Sequence, residues 1–142
     1  MKVEAIHVRA PDETEVREVG VVDAIAGKGL DGDRYFFADG ARPGLALTLI
    51  EGNVVRGAGL EPGSTHRQVT VTGAGLNDLV GKKFRVGSVE CYGVMLCEPC
   101  LHLQEMTRPG IIKELVHRAG LNADILTDGS ISVGDEVTTS DD

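Results

Sequence analysis

The chain has 142 residues, 42% hydrophobic and 25% charged, which is enough to bury a core without disulfide or metal staples and too apolar for wholesale disorder. Its net charge of −8 excludes a broad phosphate-binding face for DNA or RNA. No apolar run approaches the ~20 residues that span a bilayer, so membrane insertion is excluded as well.

The N-terminus, Met1-Lys2-Val3-Glu4-Ala5-Ile6, lacks the apolar block and small-residue cleavage site of a secretory signal. Three cysteines, an odd number without a signal, fit a reducing compartment where thiols act as nucleophiles, ligands or core filler. The expectation is a soluble, cytoplasmic protein forming one domain over residues 1–142, with only the last few residues loose.

Nineteen glycines cut the chain into short pieces, which predicts many short strands rather than long helices, a mainly β (α+β) fold. Val3, Ala5 and Val8 mark a first strand and Gly20-Val21-Val22 opens a second, followed by a glycine-rich loop from Gly27 to Tyr35. Leu45-Ala46-Leu47-Thr48-Leu49-Ile50 is bounded by Pro43-Gly44 and Glu51-Gly52 and reads as a buried strand. Residues 51–58 offer a turn or two of helix. Gln68-Val69-Thr70-Val71-Thr72 alternates with period two and stops at Gly73, as a strand does.

Lys83-Phe84-Arg85-Val86, Gly87-Ser88 and the run from Val89 to Leu96 read as a hairpin whose second strand delivers Cys97 and Cys100. Leu101, Leu103 and Met106 would form the inner face of a short helix opened by Pro99, a residue tolerated at the first helical position. Ile111, Ile112, Leu115 and Val116 recur at helical spacing between Pro109-Gly110 and Gly120. Asp128-Gly129 between apolar flanks predicts a last hairpin, after which Gly134-Asp135 turns the chain into Glu136-Val137-Thr138.

The chemistry centres on Cys100. With Pro99 as the first helical residue, Cys100 is the second, beside unpaired backbone N–H groups that favour a thiolate. Glu98 opposes this, because a neighbouring carboxylate disfavours a second negative charge. Against both stands a small buried apolar cysteine with no chemistry at all. Cys97 and Cys100 also form a C-x-x-C pair, which admits a thiol redox couple or, with Cys91 and His102, a weakly supported zinc site.

Arg34 and Arg67 stand out among the few basic residues because each flanks a loop that can approach an anion. The plainer fate of each is a solvated or salt-bridged surface arginine. Asp33 either orients Arg34 or caps a turn. His66, His102 and His117 are dispersed along the chain. His117 reads as a surface residue or a partner of a helix C-terminal dipole, and His102, two residues past Cys100, points away from it on a helix. There is no Ser–His–Asp or metalloprotease motif, and Gly73-Ala74-Gly75 is too short for a nucleotide loop.

Five segments taken in order resemble one family. They are Gly29-Leu30-Asp31-Gly32-Asp33-Arg34, His66-Arg67-Gln68-Val69-Thr70-Val71, Leu79-Val80-Gly81-Lys82-Lys83-Phe84-Arg85-Val86-Gly87, Glu98-Pro99-Cys100-Leu101-His102-Leu103 and Gly129-Ser130-Ile131-Ser132-Val133-Gly134-Asp135. Together, from about Val19 to Val137, they are similar to the MOSC domain family, named after the C-terminal domain of molybdenum-cofactor sulfurase.

The resemblance implies a β-barrel-like fold with a few short peripheral helices and a molybdenum-pterin cofactor. It implies that Cys100 is the sulfur carrier or the molybdenum ligand, and that Arg34 and Arg67 contact the anionic cofactor, with Asp33 and Gln68 beside them. Gln68 stands where the family often has asparagine. At family level pyridoxal phosphate binding is also implied, with no covalent bond to this chain.

Longer relatives carry an N-terminal β-barrel and an aminotransferase-like domain, so the resemblance further implies a partner, either a cofactor- or sulfur-donor protein or a separate reductase. The implied chemistry is reduction of N-hydroxylated compounds or relay of a persulfide on Cys100. A noncatalytic module that delivers a cofactor or regulates a partner enzyme is the rival reading, and a redox protein using Cys97 and Cys100 is a third.

Overall fold

Residues 1–139 are described by the computed structural model, and the loose end expected of the last residues lies outside the described residues. Short β-branched runs between glycines form eleven strands among these described residues, with three short α-helices and one 3-10 turn. In chain order these are β1 (Val3–Val8), β2 (Arg17–Val19), β3 (Val21–Ile25), β4 (Gly29–Leu30), β5 (Leu47–Glu51), α1 (Gly52–Gly57), β6 (Val69–Val71), the 3-10 turn (Leu76–Leu79), β7 (Lys83–Val86), β8 (Val89–Leu96), α2 (Leu101–Met106), α3 (Ile111–Leu115), β9 (Leu121–Ile125), β10 (Gly129–Ser132) and β11 (Val137–Thr139).

Eight strands form one sheet in the order β11-β7-β8-β9-β5-β6-β1-β2. It is antiparallel except where β5 runs parallel to β6 through the α1 connection. The sheet curls until the chain's two ends meet. Val3 N–H donates to the Asp135 carbonyl, Gly134 N–H to that of Val3 and Val137 N–H to that of Met1, each at 2.8 Å, and Lys2 bridges Glu136. Contacts of this kind cover part of the edge that a flat sheet would expose, and β2 stays an edge strand paired with β1.

A smaller sheet, β10-β3-β4, sends Val22, Ala24, Leu30 and Ile131 into the same core as Ile6, Leu49, Phe84 and Leu121. The helices share a second cluster outside the barrel, where Val54 and Ala58 meet Leu103, Ile111, Leu115 and Ala119. The mainly β, barrel-like expectation agrees with this architecture.

Three local expectations change. The Asp128-Gly129 hairpin does not form, because β9 pairs with β5 and β8 whereas β10 pairs with β3 in the other sheet. The Asp128 carboxylate instead accepts the Ala26 N–H at 2.7 Å, and Gly129 serves a close approach, since a Cβ there would lie 3.0 Å from the Val89 side chain. Pro99 is not helical and Cys100 is the N-cap of α2, in extended backbone with φ −136° and ψ 174°. Leu101, expected on the inner face of that helix, is exposed, while Leu103 is fully buried.

Near the end of β8 the register against β9 shifts by one residue between Gly93 and Met95, a bulge that bends the strand. Gly93 also receives the segment after the 3-10 turn, through Gly81 N–H to its carbonyl at 2.8 Å and its own N–H to the Lys82 carbonyl at 3.0 Å. A Cβ at Gly93 would lie 2.0 Å from the Leu79 carbonyl oxygen, so no other residue fits. The bent strand then carries Cys97 past Gly120, whose carbonyl accepts the Cys97 N–H at 2.8 Å.

Candidate functional site

Asp33 is buried behind a cleft and ties three segments together. One carboxylate oxygen accepts the Arg9 N–H at 2.8 Å, and the other accepts the Tyr35 N–H at 3.1 Å and the Gln68 side-chain amide at 2.7 Å. The bond to Tyr35 is an Asx turn, so Asp33 both caps a turn and fixes the backbone on either side of Arg34. Gln68 is buried as well. Its carbonyl oxygen accepts the Thr48 N–H at 2.9 Å, and its own N–H donates to the Thr48 hydroxyl at 3.0 Å. The loop bearing Arg34 is thereby locked to β5 and β6.

Arg67 lines the cleft and is at the same time a buried crosslink. Its guanidinium donates to the carbonyls of Ala119 at 2.9 Å, Thr65 at 3.3 Å and Cys97 at 3.3 Å. It keeps a permanent positive charge in the cleft wall. A glycine is obligatory beside it, because a Cβ at Gly120 would lie 2.3 Å from the Leu49 carbonyl and the backbone there has φ +125°. Arg34 is half-buried, hydrogen-bonds the Tyr35 hydroxyl and lies 4.4 Å from the centroid of that ring.

These residues wall a cleft of about 250 Å³, onto which Arg34, Thr48, His66, Arg67, Gln68, Cys97, Cys100, His102 and Asn122 all face. Tyr35, Leu45 and Met106 supply apolar lining. The size is just below the usual range for small-molecule sites. Asp33 is not on the wall, and its part is to hold Arg34 and Gln68 in place.

Cys100 is exposed at this cleft and makes no capping hydrogen bond. The second-helical-residue geometry expected for it is absent, and as N-cap its sulfur forms no hydrogen bond with the first N–H groups of α2. Glu98 is turned away, since its carboxylate accepts the His117 N–H at 2.6 Å and meets the His117 ring Nδ1 at 2.5 Å. The backbone hydrogen bond from His117 is the main cause that holds the Glu98 carboxyl below the usual range. His117 is the exposed surface residue expected.

Cys97 is half-buried, and burial is the largest influence raising its thiol, against an opposing pull from Arg67. Both sulfurs are free. Cys100 has extended backbone, and no disulfide joins it to Cys97.

The zinc alternative loses its ligand set. Cys91 lies in the barrel core, and its thiol is pushed up to about 12 by burial first and then by Asp124 and Glu90. Among the described residues no group of three or more His, Cys, Asp and Glu side chains is arranged to hold a metal ion. A larger hollow of about 340 Å³ lies elsewhere, lined by Glu51, Asn53, Asn77, His117 and Arg118, and it contains no thiol.

Sequence reasoning missed His66, His102, Thr48 and Asn122 as cleft residues. His66 adjoins Arg67, a usable signal, and His102 follows the P-C motif closely. Thr48 and Asn122 sit inside ordinary strand patterns, and only the pairing of Thr48 with Asn122 across β5 and β9 brings them together.

The family model described as the MOSC domain matches residues 46–138. No curated protein matches the chain. Among solved structures, the YuaD protein from Bacillus subtilis is similar with a TM-score of 0.79 at 16% identity, covering 97% of this chain and 94% of that one. YiiM from Geobacillus stearothermophilus gives 0.71 at 16% identity, covering 99% and 75%, respectively. YiiM from Escherichia coli gives 0.68 at 14% identity, covering 100% and 71%. At these identities the similarity is one of fold. No helix among the described residues is long and apolar enough to cross a membrane.

Proposed function

The chain belongs to the MOSC domain family, and on that premise we propose that it binds a molybdenum-pterin cofactor, or carries sulfur, through Cys100. The observation that carries this reading is the meeting of one exposed thiol with the charges of Arg34 and Arg67 in a single cleft.

The donor set fits such a group. A thiolate is a soft ligand suited to molybdenum or to sulfur, and a cofactor that brings its own sulfur ligands needs only one thiolate from the protein. The pterin's phosphate calls for fixed positive charge, which Arg34 and Arg67 provide. Gln68, Thr48 and Asn122 offer donors and acceptors to a polar ring edge. A cleft this small leaves much of a pterin facing solvent, or covered by a partner.

Bound, the cofactor would supply two-electron reduction of N-hydroxylated compounds. The chain's own work is then to orient it through Arg34, Arg67 and Gln68, with Asp33 holding that wall, and to present Cys100 at its open side. In the sulfur-carrying version the Cys100 thiolate attacks the terminal sulfur of a donor persulfide. The donor's S–S bond breaks, its thiolate leaves, and Cys100 keeps the sulfur as a persulfide. The donor protein, or a separate reductase, is the implied partner, and the free thiols support a reducing, cytoplasmic setting as part of the same proposal.

Molybdenum, pterin and sulfane sulfur measured on protein purified from a cofactor-producing host decide the matter. Wild type is expected to carry molybdenum with pterin, or sulfane sulfur, and Cys100→Ser is expected to lose at least tenfold of whichever is present while unfolding at the same temperature. Wild type carrying none of the three, before and after reconstitution, overturns the proposal. Cofactor retained fully by Cys100→Ser assigns the chain to noncatalytic delivery or regulation instead.

A further inference from the structure

His66 is a cleft group that neither the fold nor the proposed chemistry uses. Its backbone has φ +59°, in the left-handed region that most residues with a β-carbon avoid and that asparagine, aspartate and histidine enter more readily. Strain of this sort points to function where the surroundings impose it, and here they do. The His66 N–H donates to the Gly63 carbonyl at 3.1 Å, and the next residue, Arg67, is fastened to three carbonyls. The imidazole thus stands on a rigid post facing the cleft, and no group among the described residues hydrogen-bonds its ring.

The charges around it are nearly all positive. Arg9 follows β1, Arg34 lies in the loop after β4, Arg67 lies just before β6 and His102 is on α2, and each acts on His66 electrostatically. The thiols of Cys97 and Cys100 and the phenol of Tyr35 are the remaining titratable groups on this cleft. Burial is the larger influence and the arginine charges follow, both depressing the imidazole below its usual 6.5. An arriving anion neutralises the second influence.

We propose that His66 couples the cleft to protons: when an oxyanion settles between Arg34 and Arg67, the His66 imidazole takes a proton from solvent and releases it when the anion leaves. The inference rests on the anion-binding half of the function proposed above and needs neither molybdenum nor sulfur. Its consequence is a cleft that holds oxyanions more tightly in mild acid than at neutral pH. The sign follows from linkage, because a ligand that raises a group's proton affinity is itself bound better when that group is protonated. A rise of about one unit in the His66 midpoint corresponds to about tenfold tighter binding on the acid side.

The test uses sulfate, which keeps its charge throughout the titration of a histidine. Histidine ring resonances of wild-type protein are followed from about pH 5 to 8, with and without saturating sulfate at constant ionic strength. The expected result is a His66 midpoint below 6.5 that moves up with sulfate. Calorimetry in two buffers of different ionisation enthalpy is expected to show proton uptake that disappears in His66→Asn, a residue that accepts the same backbone. Sulfate-induced shifts at Arg34 and Thr48 with an unmoved His66 midpoint overturn the inference and leave the anion site standing. Uptake traced to His102 instead overturns it equally. No cleft resonance responding to sulfate overturns the anion site and the inference together.

Discussion

Asp33 shows how a residue without access to the cleft governs it. Its two carboxylate oxygens face three N–H donors, so replacing either oxygen by an amide NH₂ sets donor against donor. Asp33→Asn is expected to cost ~2 kcal/mol, the cost of leaving buried donors unpaired, and to weaken sulfate binding as the Arg34 loop loses its anchor. Urea unfolding and sulfate titration check both parts, and unchanged binding in a destabilised variant refutes the positioning role. In the sequence Asp33 carries two meanings, turn cap and partner of Arg34. The structure joins them, because the turn it caps is the one that presents Arg34. Arg67 was legible as important but not in its manner, since a three-carbonyl anchorage involves residues 30 and 52 positions away, which no local pattern encodes.

At the scale of elements, the path of β8 decides where the thiols go. The bulge after Gly93 and the packing of the 3-10 turn on that glycine bend the strand toward the cleft. Gly93→Ala places a methyl against a backbone oxygen 2.0 Å away, so the turn must move. The expected loss is ~3 kcal/mol, seen as a drop of roughly 10 °C in Tm. A loss below about 1 kcal/mol shows that the turn yields freely. The buried strands and the β7–β8 hairpin were readable because an apolar run between turn residues has few alternatives. The Asp128-Gly129 hairpin was not, because the dipeptide signals a turn without saying which sheet the chain joins next. The start of α2 shifted by two residues because Pro99 suits both a first helical position and the extended approach to it.

For the whole molecule, the hydrogen bonds between the Met1–Val3 segment and residues 134–137 make the two ends part of one closed sheet. The amides of Val3 and Val137 are therefore expected to exchange with solvent as slowly as those of core strand β5, through global unfolding alone. Exchange at least a hundredfold faster at these two sites shows that the barrel opens at this seam. The same closure lets a chain of net charge −8 concentrate Arg9, Arg34 and Arg67 around one cleft, a local field opposite in sign to the whole. By itself the sequence determined the β-rich class, the family and the candidacy of Cys100, Arg34 and Arg67, because hydrophobic period, glycine placement and short motifs are local properties of a chain. Only the tertiary structure decided that His66, Thr48 and Asn122 share that cleft, that Cys97 and Cys100 face it without bonding, and that Arg67 is a brace. Those facts depend on strand pairing and barrel closure, which bring together residues whose separation along the chain carries no trace of their neighbourhood in space.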